Sequence, residues 1–147
     1  MPVTRVYVPI GRSGLEELAA SGGLAAGPQE PRTAYAVTSA LRASAPGLDV
    51  EDLEYAAFSD AVAAAGMVRS SPGHRRVVAA ADADAAWVGG GVGDPASGVV
   101  LVAPLPLSRV ASFHVDDEST SGTSDDEADE LLWYDVTELD DVRSFLT

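Results

Sequence analysis

The residues best suited to chemistry in this chain lie in SFHVDD, residues 112–117, where a histidine stands two positions before an acid. On a β-strand, side chains two apart share a face, so His114 and Asp116 point the same way, with Asp117 beside them. Asp135, in LLWYD, reaches the same group if that last strand lies alongside. A histidine among carboxylates can bind a hard or borderline divalent metal or move protons as an acid/base pair. The pattern permits this chemistry without demanding it. The chain has two histidines and contains no HExxH, DxDxDG or GxSxG motif. The structural alternative is a strand-end histidine that pairs with neighbouring acids. His74, in a loop beside Arg75 and Arg76, reads as surface.

A second candidate is Glu54. It sits in DVEDLEYAAFSDAVAAAG, Asp49 to Gly66, which has an N-cap aspartate, acids Glu51 and Asp52 in the first turn and a terminal glycine. Val50, Leu53, Ala57, Ala61, Ala64 and Val68 form one apolar stripe, and Tyr55, Phe58, Val62 and Ala65 a second beside it. At about 100° per residue Glu54 falls inside that apolar arc. A carboxylate there needs an arginine or a proton, which makes Glu54 a site candidate, unless it bends from the helix start into solvent.

The remaining elements must position these groups. Arg5–Ile10 alternates as a strand, with Pro9 marking an edge or an exit. GRSG and LEELAAS follow as a turn and a helix, with Ser13 and Glu16 spaced as a capping box and Gly22-Gly23 as the stop. GRSG has neither the dinucleotide fingerprint nor the Walker spacing, so the strand–turn–helix is read as a short connection. Tyr35–Thr38 reads as a strand and Ser39–Ala45 as a short helix. Arg75–Ala81 is apolar for five residues running, as an interior strand would be. An internal partner such as Glu54 suits the adjacent Arg75 and Arg76. Ala83–Val88, with Trp87, is a short strand or connection, and 89–98 is a glycine-rich hairpin tip before the strand Val99–Ala103. In Ala111–Val115, Ala111, Phe113 and Val115 face one side, and Ser112 and His114 the other. Glu118–Asp129 is acidic, Ser/Thr/Gly-rich and expected to be mobile. Leu131–Asp135 is the last strand, and Thr137 with Asp140 caps a closing helix.

Composition narrows the function classes. At 147 residues and 46% hydrophobic, the chain supports one ordinary core, hence a single domain over 1–147. Without cysteine there is no disulfide, thiolate nucleophile or thiolate metal site. All nine bases are arginine, and neither lysine nor asparagine occurs, as a GC-rich genome would produce. A net charge of −14 repels phosphate backbones and anionic lipid, so no direct nucleic-acid or membrane binding is expected. An acidic mimic of nucleic acid is a minor exception. No apolar run approaches a membrane span, and the first residues lack a secretory pattern, so a cytoplasmic location is expected.

VYVP at 6–9, AVTSALR at 36–42, DLEYAAF at 52–58, RRVVAAAD at 75–82, PLPLSRVASFHVDD at 104–117 and ELLWYD at 130–135 resemble a small family of actinobacterial proteins of unknown function. The resemblance covers nearly the whole chain and implies an α/β domain. It carries no catalytic residue across. The expected fold is a single-domain α/β two-layer sandwich: a mixed sheet of about five strands, with the first helix and the Asp49–Gly66 helix on one face. The leading expectation for function is a non-catalytic binding or regulatory domain acting on a protein partner or as a homodimer, through Trp87, the 89–98 loop or the last strand. The alternative is a small metal-assisted or acid/base enzyme centred on His114, Asp116 and Asp117, with Glu54 or Asp135 in support. No cofactor is evident beyond a possible divalent metal.

Overall fold

The computed structural model describes residues 2–68, 75–90, 95–116 and 131–145. Strands β1 (Val3–Pro9), β3 (Arg32–Ala36), β4 (Val77–Asp84), β5 (Gly98–Leu101), β7 (Val110–Asp116) and β8 (Leu131–Asp135) form a six-stranded sheet in the order β5-β3-β1-β4-β7-β8. Two short strands, β2 (Gly23–Leu24) and β6 (Leu105–Pro106), pair separately. The α/β class holds, but the sheet is antiparallel at every pairing instead of mixed. The reason is the placement of β1. Strands β3 and β4 run parallel, with two helices between them in the chain as in a β-α-β crossover, but β1 lies between them in the sheet and pairs antiparallel with both.

Helices cover both faces, so there are three layers and not two. Helices α1 (Gly11–Ser21) and α4 (Leu139–Phe145) pack on one face, over Val6, Val8, Val77, Ala79, Phe113 and Val115. Helices α2 (Ser39–Ser44) and α3 (Val50–Val68) pack on the other, against Tyr7, Tyr35 and Val78. The sequence cause is clearest in β4, whose run of apolar residues at 77–81 leaves two faces to bury, while β1 adds Val6 and Val8 to one face and Tyr7 to the other. A strand with one apolar face would have left the second side to water.

Several boundaries differ from expectation for local reasons. The Ile10 N–H donates to the Val77 carbonyl (3.0 Å), which pins the chain to β4 and starts α1 at once, so Ser13 lies inside the helix and caps nothing. Gly14 is required there, because a Cβ at that position would overlap the Ile10 side chain. Gly22, at φ 74°, ends α1 in the left-handed region, with its N–H on the Leu18 carbonyl. Asp49 does cap α3, accepting from the Asp52 N–H at 2.9 Å, but Gly66 lies within the helix and does not stop it. The closing helix is prepared by a turn at 136–138, whose capping box is Asp135 and Glu138 in place of Thr137 and Asp140.

One irregularity governs β7. Ser112 lies opposite Ala80 while Val110 lies opposite Ala81, leaving Ala111 as the extra residue of a bulge. Val110 therefore takes the core position expected for Ala111, beside Phe113 and Val115. Trp87, in a turn at 85–87, packs on this core under the Arg109 guanidinium, 4.8 Å from the ring centroid. Among the described residues, no helix is long and apolar enough to cross a membrane.

Candidate functional site

A sheet of six strands spaced about 4.8 Å apart is roughly 24 Å wide between its outer strands, whereas a helix with its side chains is about 10 Å across. Helix α3 lies over β3 and β1 and reaches β4. Beyond it, toward β7 and β8, the described residues roof the face only in part. A cleft of about 320 Å³ opens there, walled by the first half of α3 on one side and by the sheet on the other.

The helix wall is a single face. Glu51, Glu54, Tyr55 and Phe58 follow the i, i+3, i+4, i+7 spacing and all line the cleft. The floor is Tyr7 and Arg5 from β1, Ala80 from β4, and Ser112 and His114 from β7. Trp133, directly opposite His114 in the β7–β8 pairing, forms the far rim. Phe58 stacks at an angle on His114 (centroids 4.7 Å) and edge-on to Tyr7 (5.8 Å), joining wall and floor.

Two groups on the floor have shifted titrations. Burial, and then the nearby Arg5 guanidinium, push the His114 imidazole down to about 4, so at neutral pH the ring is uncharged. Its Nε2 lies 3.2 Å from the Ser112 Oγ, with donor and acceptor set by the tautomer. Burial raises the Tyr7 phenol, and the Glu54 carboxylate raises it further. Arg5 is itself held by Asp82, its cross-strand neighbour, with Nε donating to Oδ1 at 2.9 Å.

Asp116 does not share this cleft. It is fully buried and paired with Arg76, itself 1% exposed. Arg76 donates through Nη2 to Oδ1 (2.7 Å), through Nε to Oδ2 (2.9 Å) and through its backbone N–H to Oδ2 (2.6 Å). The Asp116 N–H in turn donates to the Arg76 carbonyl at 3.2 Å. Of the two arginines expected to suit Glu54, Arg75 and Arg76, the second is thus committed to Asp116. Neither Glu54 nor Glu51 has an ion pair among the described residues, and both stand at the mouth of the cleft.

Asp135 lies opposite Ser112, but its carboxylate accepts from the Thr137 hydroxyl (2.6 Å) and the Thr137 N–H (2.9 Å). Those bonds hold it below its ordinary pKa and make it a cap. Asp117, His74 and the acidic stretch 118–129 lie outside the described residues. Among the described residues, no three His, Asp or Glu side chains gather closely enough to hold a metal ion.

Of the sequence candidates, then, the structure brings His114 and Glu54 to one cleft and leaves Asp116 and Asp135 to scaffold roles. Arg5, Tyr7, Ser112 and Trp133 were not singled out as partners of His114. The helical spacing of Glu51, Glu54, Tyr55 and Phe58 was visible in the sequence, but Tyr55 and Phe58 read as core. The chain belongs to a family of unknown function (DUF6912), whose model matches residues 4–142. No curated protein and no solved structure matches it.

Proposed function

We propose that this chain is a non-catalytic binding domain that engages a protein partner through the His114 cleft and the adjoining edge strand β8. The observation that carries this reading is the fate of the acids. A histidine acting as general acid or base works best with a pKa near the working pH, whereas His114 is held at about 4 and Asp116, the acid nearest to it on its strand, is consumed by Arg76. What remains around the ring is recognition surface. Trp133 is 61% exposed and Tyr55 51%, on the rim and the wall of the cleft. Large apolar side chains beside a concave site at a sheet edge suit partner binding. At the opposite edge, Val88 bridges Leu101 and Gly89 donates to the Val100 carbonyl (2.7 Å), so β5 carries a covering segment.

A net charge of −14 on each copy opposes self-association at low salt and favours a different partner over a homodimer. The test immobilises the wild-type chain and a Trp133→Ala variant in extract of the source cells, with sedimentation of each alone. Proteins retained by the wild type and lost from the variant support the reading. Equal retention by both, or none, contradicts it, and a Trp133-dependent dimer would replace the partner with a second copy.

The enzyme alternative keeps one supporting observation, the Ser112–His114 contact at 3.2 Å. A burst of p-nitrophenol from p-nitrophenyl acetate, abolished by Ser112→Ala, would revive it.

A further inference from the structure

We infer that the cleft takes the guanidinium group of an arginine presented by the partner, held between Tyr55, Phe58 and Trp133 and facing the carboxylates of Glu51 and Glu54. The inference rests on the binding reading above and specifies the chemistry of the partner. Three observations lead to it. First, the walls are aromatic, with Tyr55 and Phe58 on one helix face (centroids 6.3 Å) and Trp133 across the opening. Ring faces attract a cation that has lost part of its water. Second, Glu51 and Glu54 on that same helix face carry no ion pair among the described residues. Arg5, the one cation among the described residues lining the cleft, is paired with Asp82 at 2.9 Å. Third, the chain as a whole carries −14, which draws a basic segment toward it from a distance.

The shape selects among cations. A planar guanidinium can stack on a ring and still present a fork of N–H donors to a carboxylate, which an ammonium cannot do. The uncharged imidazole of His114 suits this occupant, because a protonated ring on the floor would repel it. Among the described residues no strand pairs with the outer side of β8, which gives the backbone that carries the arginine a place to pair.

The test follows the Trp133 indole N–H by NMR while N-acetyl-arginine-N-methylamide is added to the full chain. Parallel titrations use the uncharged citrulline analogue and N-acetyl-aspartate-N-methylamide. The expected result is a saturable shift with the arginine probe. Affinity should be about fivefold weaker for citrulline, and about fivefold weaker for arginine on the Glu51→Gln/Glu54→Gln variant, whose two substitutions lie at the cleft mouth. Equal binding of citrulline and arginine would overturn the charge requirement. Preferential binding of the aspartate probe would assign the cleft to Arg5 and an anion, and no saturable shift would remove the site. If these fail while Trp133-dependent partner capture persists, the binding domain stands and only the arginine is lost.

Discussion

His114 and Asp116 are two residues apart on one strand and point to the same side of the sheet, yet they belong to different regions. At Asp116 the strand end is closed. A buried arginine and its own backbone N–H wrap both carboxylate oxygens, and the pair ties β4 to β7 where their pairing ends. At His114 the described residues leave the roof incomplete, burial holds the imidazole uncharged at neutral pH, and aromatic and acidic side chains line a cleft. The difference shows that proximity in sequence does not make a catalytic pair. A buried carboxylate goes to the cation that can be buried with it, and here that cation is Arg76, the residue just before β4.

The largest effect that would sharpen the contrast comes from breaking the closed end. Asp116→Ala removes the carboxylate buried against the Arg76 guanidinium and should cost about 3–5 kcal/mol, read as a lowered denaturant midpoint. A loss under about 1 kcal/mol would mean that the pair is solvated and the two ends are alike.

The second effect concerns pH. The folded His114 pKa of about 4 lies below the unfolded value near 6.5, so between these the unfolded chain binds a proton that the folded chain does not. Stability is therefore complete above about 6.5, falls as the pH drops toward 4 and levels off below, with a total loss of at most about 3 kcal/mol, less where water reaches the ring. His114→Phe should flatten that part of the profile. An unchanged profile in the variant would show that other groups produce it.

The third is smaller still. Trp133→Ala at the open rim should change stability by no more than about 0.5 kcal/mol while removing partner binding. A loss of several kcal/mol would place Trp133 in the core and close the cleft.

Much of the scaffold was legible in the sequence. Asp49 as the cap of α3, the interior position of β4, the helix stop at Gly22 and the last strand at 131–135 follow from local rules that tertiary contacts did not override. The two-sided roof was not legible in the same way. The apolar run of β4 implied two buried faces, but the alternation read in β1 did not, and nothing local said that α1 and α3 would take opposite ones. The site was harder again. Arg76 and Asp116 lie forty positions apart and meet through strand pairing, and the bulge at Ala111 exchanges it with Val110 in the core without any glycine to announce it. Tyr55 and Phe58 have the spacing of core residues. Only the width of the sheet relative to one helix turns them into a wall.

The most direct test is the titration of the His114 imidazole itself, followed by NMR of its ring protons in the folded chain. A midpoint near 4 is predicted, with the ring packed on Phe58 beside Arg5 and without a carboxylate partner. A midpoint at or above 6.5 would mean that an acid holds the imidazolium, and the division of strand β7 into a scaffold end and a binding end would be wrong.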